Sequence, residues 1–251
     1  MNLRIGAIVI SVNLVFLAAA FAFFLRLSYQ RLYPSVLSKR SKAIAVLAVV
    51  SMAGIVASWL YGLLGVGDAV GSAMPPSRAE FPFGSFGGYW GVILGSIFMS
   101  LLLRGPHLRQ ADALVPGILV GGAIARLAGL FNNANPGISL DNQAFPWFQP
   151  FKLWAAHDVA AHLVVLFLVW RLCRRPGSPP GREVALFLGG YGLVRFMLEF
   201  VRETQHIFGP FTYGHLMAAI QTVVGLALAA WLLQKDREHA IRHTDGHRFG
   251  H

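Results

Sequence analysis

The chain has one cysteine, Cys173, in 251 residues, so no disulfide can form within it. Charge is also scarce. Only 13% of residues are charged, and the acidic residues number 11 against 21 basic ones. With hydrophobic residues at 55%, that scarcity leaves no stretch that reads as a soluble domain. Repeats of 20–50 residues and low-complexity tracts are missing as well, which excludes a solenoid or an array. The net charge of +10 would suit a nucleic-acid partner, but the basic residues lie mostly between apolar runs, so no nucleic-acid partner is implied. No outward cluster of Cys, His or carboxylate has metal-ligand spacing, and nothing calls for a cofactor.

What is present is a series of apolar runs. About seven are near the ~20 residues a bilayer requires: roughly 5–25, 43–63, 86–103, 112–130, 155–172, 184–201 and 215–233. The fold class expected is an all-α integral membrane protein. Residues 1–234 form the polytopic domain, with longer loops near 64–85 and 131–154, and residues 235–251 form a basic tail containing histidines. The first run reads as an anchor, not a cleaved leader, because Arg26 and a basic segment follow it.

Loop charge sets the orientation. Fifteen of the 21 basic residues fall on one side, in segments 26–42, 104–111, 171–183 and the tail, against Arg4, Arg78, Lys152 and Arg202 on the other. The basic side is expected to be cytoplasmic. The amino terminus is then outside and the carboxyl terminus inside, and 64–85 and 131–154 are outer loops.

Arg126 and Arg195 remain, both inside apolar runs. A guanidinium keeps its proton, and placing it in hydrocarbon costs about 2.5–3.5 kcal/mol or more, so such a residue faces a bundle interior and meets an anion there. Tyr191, Arg195, Glu199 and Arg202 recur at helical spacing and share one face. Arg195 lies roughly 10 Å below the outer end at 1.5 Å per residue. Arg126 lies about a turn below the outer surface and is followed by Asn132 and Asn133, whose amides suit phosphate or hydroxyl groups. Gly87 and Gly88 open the third span on that side, where bare backbone N–H groups favour anions. His157 and Asp158 begin the fifth span there, with His162 a turn deeper, and His215 opens the seventh. A histidine beside a carboxylate can serve as a base. Plainer readings exist for each: an intrahelical ion pair, a snorkelling arginine, helix-packing glycines, interfacial polar residues. Their common depth is what argues for a site.

At these residues the chain resembles the prolipoprotein diacylglyceryl transferases. YGLVRFMLEFVRE at 191–203 is similar to the family's Tyr-Gly-x-x-Arg-Phe-x-x-Glu-Phe-x-Arg, and ARLAGLFNN at 125–133 to its Gly-Arg-x-Gly-Asn-Phe-x-Asn-Gly. SFGGYWG at 85–91 resembles Ser-Phe-His-Gly-Gly, and YGHLMAAIQTVVG at 213–225 resembles a final-span Met-Gly-Gln-x-Leu-Ser. The chain departs from the pattern in several places. Phe86 stands where the family has histidine, and Gly129 replaces the signature asparagine. His157–Asp158 replaces Tyr-Glu, His215 replaces glutamine, and NLVFLAAAFAFFLR has no counterpart of a first-span Tyr-Gly.

The resemblance implies a multi-pass enzyme of the bacterial inner membrane. It would move diacylglyceryl from phosphatidylglycerol to the lipobox cysteine of a preprolipoprotein, leaving a thioether and glycerol phosphate. Arg126, Arg195 and Glu199 would be catalytic, with His157 or His215 as base. Gly87, Gly88, Asn132, Asn133, Asp158, Tyr191 and Arg202 would bind substrate. Two alternatives stay open: an inactive or repurposed phospholipid-binding membrane protein, which Phe86 favours, and a small-anion transporter. The transporter would call for repeats and interrupted helices.

Overall fold

The computed structural model describes residues 2–5, 8–63, 85–132, 153–173, 178–200 and 206–248, with side chains over 14–62, 85–127, 156–173, 178–200 and 208–238. The chain is mostly helical. Among the described residues, six helices are long and apolar enough to cross a membrane: α1 (Val12–Leu32), α2 (Arg40–Leu63), α3 (Ser85–Leu102), α4 (His107–Asn132), α5 (Leu153–Cys173) and α8 (Tyr213–Arg248). The stretch expected as a further span, 184–201, is composite. It consists of α6 (Arg182–Leu186), a π-helical turn (Phe187–Tyr191) and α7 (Gly192–Glu199).

Two short antiparallel ribbons modify the expectation of an all-α chain. β1 (Asn2–Ile5) pairs with β2 (Ile8–Ser11), so the first helix starts at Val12 instead of near residue 5. Ile5, Ile8, Val9 and Ile10 are β-branched and suit a strand. The helix then runs through Arg26 and Arg31, which the sequence placed in a loop. β3 (His206–Phe208) and β4 (Phe211–Thr212) lead into α8. That helix continues unbroken to Arg248, through most of the segment set apart as a tail. The expected outer loops, apart from their ends, lie outside the described residues.

Lipid provides no hydrophobic drive between helices, so close backbone approach has to hold them. Glycine supplies it at four-residue spacing. On α3, a Cβ at Gly91 would run into the carbonyl oxygen of Ala53, and one at Gly95 would come within 2.9 Å of the Ala53 side chain. On α4, a Cβ at Gly121 would lie 2.9 Å from the carbonyl oxygen of Ala20 on α1. Where the π turn meets α8, a Cβ at Gly225 would collide with the backbone of Gly189. The outward faces keep large apolar side chains exposed, among them Leu94, Phe98, Leu101, Val223 and Leu226, as a lipid-facing surface requires.

One end of the bundle is closed by charge. Arg31 pairs with Glu183 at 2.6 Å. The carboxylate of Asp112 accepts the backbone N–H groups of Gly181 at 2.6 Å and Val184 at 3.0 Å, and Arg182 pairs with Asp236 at 2.9 Å. These contacts tie α1, α4 and α8 to the start of α6, beside a cavity of about 320 Å³. The other end gathers the starts of α3, α5 and α8 and the ends of α4 and α7.

Candidate functional site

The last turns of α4 carry Arg126. Its Nε lies 2.8 Å from Oδ2 of Asp158, near the start of α5, and its Nη2 donates to the hydroxyl of Ser85, the first residue of α3. Asp158 is fully buried and Arg126 nearly so. A carboxylate at this depth needs such a partner, because an isolated ion is expensive in low dielectric.

Arg195 on α7 is fully buried. Its Nη1 lies 2.7 Å from Oε2 of Glu199, one turn on, and its guanidinium sits over the ring of Phe86, 5.5 Å from the centroid. That cation–π contact is worth about 0.5–2 kcal/mol, the more so when desolvated. Glu199 also accepts a hydrogen bond from the Thr212 hydroxyl at 3.2 Å, so the β3–β4 ribbon helps to fix it. Gly214 leaves the room this carboxylate fills, since a Cβ there would overlap it.

Arg126 therefore touches Ser85, and Arg195 covers the next residue, Phe86. The two arginines, predicted to share a site, converge on one dipeptide at the start of α3. Tyr191, Arg195 and Glu199 are all buried, and Tyr191 joins the arginine network by donating to Oδ1 of Asp158 at 3.0 Å.

Two further residues complete the network. Nδ1 of His162 lies 2.7 Å from the backbone carbonyl of Asp158. Oη of Tyr89 lies 2.6 Å from Nε2 of the same imidazole. The Tyr89 ring packs edge-on against Tyr191 and Phe187, with centroids 5.5 and 5.6 Å away. Sequence reasoning noted His162 but did not place it in the site, and it missed Tyr89. The available signal was that each is a polar group inside an otherwise apolar span.

The other expected residues fall differently. Gly87 faces α2, where a Cβ would strike the Ala57 carbonyl, while Gly88 is in looser contact with Ser58, 3.9 Å away. The helix-packing reading thus fits Gly87. His157 is half-buried. His215 is buried in an aromatic cage of Phe196, Phe200 and Phe211. Its Nδ1 accepts the backbone N–H of Thr212 at 3.1 Å, so the basic nitrogen of the neutral ring is already occupied. Asn132 closes α4, and its side chain, like Asn133 and Arg202, lies outside the described residues.

Comparison with known proteins gives a consistent result. The sequence profile described as prolipoprotein diacylglyceryl transferase matches residues 1–231. A phosphatidylglycerol–prolipoprotein diacylglyceryl transferase of Paramagnetospirillum magneticum is 34% identical over 173 residues, 61% of this chain and 62% of the relative. Proteins of the same name from Vibrio vulnificus and Pseudoalteromonas atlantica are 29% and 30% identical, over 59% and 60% of this chain and 58% and 59% of their own lengths. The chain thus spans about three fifths of the length of the curated relatives it matches.

Proposed function

Since the chain belongs to the prolipoprotein diacylglyceryl transferase family, we propose that it transfers diacylglyceryl from phosphatidylglycerol to the lipobox cysteine thiol of a preprolipoprotein. The product is a thioether, and glycerol phosphate leaves. On this reading the composite helix 182–199 is a seventh span, and the chain sits in the bacterial inner membrane with its amino terminus outside and its carboxyl terminus in the cytoplasm. The 15-to-4 asymmetry of basic residues in the sequence supports that orientation.

The observation that carries the proposal is the meeting of two arginine–carboxylate pairs, Arg126–Asp158 and Arg195–Glu199, on Ser85 and Phe86. Phosphoryl oxygens are what paired guanidiniums recognise. Charge grows on the departing glycerol phosphate as the carbon–oxygen bond breaks, and fixed donors in a site shielded from water stabilise it. Arg126 and Arg195 take that role. Asp158, Tyr191 and Glu199 orient them. Gly87 sets α3 against α2, so that Ser85 and Phe86 reach both arginines, and Gly88 is left for the headgroup. Asn132, Asn133 and Arg202 stay candidates for the lipid headgroup on the sequence alone. Of the two sequence candidates for a base, His215 is the weaker, because its Nδ1 already accepts the Thr212 N–H.

The test is reconstitution in phosphatidylglycerol vesicles with a lipobox peptide, following release of glycerol phosphate. Arg126→Ala and Arg195→Ala should each abolish release. Lipid binding and release unaffected by both substitutions would reject the reading. Phe86, in the place of the family histidine, favours a second reading in which the protein binds the lipid without reacting it. Binding by wild type with no release would select that one.

A further inference from the structure

The Tyr89–His162 pair links α3 to α5 through buried polar groups, and its hydrogen bonds have a direction. A carbonyl only accepts, so the contact with the Asp158 carbonyl puts the proton of the neutral imidazole on Nδ1. Nε2 is then a bare lone pair, and the Tyr89 hydroxyl at 2.6 Å donates to it. The phenol oxygen is left able to accept a proton while its own moves to the imidazole.

The position of the pair is equally specific. Gly122 precedes Arg126 by four residues on α4, about 6 Å closer to the middle of the bundle at 1.5 Å per residue. A Cβ at Gly122 would lie 2.5 Å from Nε2 of His162 and 2.9 Å from Oη of Tyr89. The pair therefore sits one turn deeper than Arg126. A phosphate held by Arg126 has its diacylglyceryl carbon on the acyl side, toward that depth. Asp158 couples the two layers, since its carboxylate holds Arg126 and Tyr191 while its carbonyl holds His162. The charged or titratable groups around the imidazole are Asp158 on its own helix, Arg126 on α4, Tyr89 on α3, and Tyr191 and Arg195 on the composite helix.

We propose that Tyr89 and His162 form the proton relay that activates the acceptor thiol, an inference that rests on the transferase reading above. The thiol proton passes to Oη of Tyr89 as the Tyr89 proton passes to Nε2 of His162. The sulfur attacks the glycerol carbon bound to phosphate. The carbon–oxygen bond breaks, and its electron pair leaves on the phosphate oxygen. The imidazolium returns its proton through Tyr89 to that oxygen. Tyr89 is the residue that meets the thiol, and His162 acts through it.

The experiment uses the full chain in phosphatidylglycerol vesicles with a lipobox peptide, comparing wild type, Tyr89→Phe, His162→Gln and the double variant. Phenylalanine keeps the ring contacts with Tyr191 and Phe187 and removes only the hydroxyl. A positioned base contributes roughly 10²–10⁴-fold, so kcat should fall by about that factor in Tyr89→Phe, with KM for the lipid changed by less than about threefold. Groups acting as a unit are non-additive, so the double variant should be no slower than the slower single one. The solvent deuterium isotope effect on kcat should shrink in Tyr89→Phe. Tyr89→Phe turning over at the wild-type rate overturns the relay and leaves the proposed function standing. Additive losses with an unchanged isotope effect mark a packing bond only and also overturn it. Wild type that binds phosphatidylglycerol but releases no glycerol phosphate overturns the function and the relay together.

Discussion

Nε of Arg126 lies 2.8 Å from Oδ2 of Asp158, and this pair fastens the end of α4 to the start of α5 where neither charge could stand alone. Asp158→Ala should leave the arginine without its partner. Breaking one side of a buried pair costs about 3–5 kcal/mol, to be read as a lower unfolding midpoint in detergent together with loss of glycerol phosphate release. Asp158→Asn keeps the shape and should cost less stability while still losing transfer. Full activity in Asp158→Asn would show that the negative charge has no part in positioning Arg126.

Arg195 is the more deeply buried of the two arginines, and its substitutions separate charge from geometry. Arg195→Ala should abolish lipid binding and transfer, because Glu199 loses its counter-charge. Arg195→Lys restores the charge but not the planar fork, and it should recover stability more than activity. Equal activity in Arg195→Lys and wild type, measured by glycerol phosphate release, would mean that a point charge is enough.

Two glycines three residues apart on α3 should behave differently. A Cβ at Gly91 meets the backbone of Ala53, whereas one at Gly88 meets nothing closer than 3.9 Å. Overpacking costs about 1–3 kcal/mol, so Gly91→Ala should lower the unfolding midpoint and Gly88→Ala should not. Activity lost in Gly88→Ala with stability intact would assign that glycine to the lipid headgroup.

The orientation is tested by reporter fusions after residue 233. A reporter that works only in the cytoplasm should be active there, and one that works only outside should be silent. The reverse result would move every site residue to the cytoplasmic leaflet.

What the sequence could convey followed from range. Tyr191, Arg195 and Glu199 share a face because helical spacing is local, and the structure buries all three. The place of Arg126 near the end of its helix was likewise readable from the apolar run. Its partner was not, because Asp158 is 32 residues away on another helix, and no local pattern says that α4 lies against α5. Tyr89 and His162 are 73 residues apart and were hidden for the same reason. Gly87 was read toward a ligand because a paired glycine exposes backbone, and only packing reveals that α2 fills that space. The first helix starts later than its apolar run because hydrophobicity cannot separate a β-branched ribbon from the start of a span.

The π turn at Phe187–Tyr191 sets the phase of everything beyond it. A π turn holds one residue more than the α-helical path would, and one residue corresponds to about 100° of rotation at 3.6 residues per turn. The far end of this helix is pinned by Glu183 and by the caps from Asp112, so the extra residue decides which way Arg195 and Glu199 face. A chain one residue shorter there would keep nearly all its apolar length and turn its arginine a quarter circle away from Phe86.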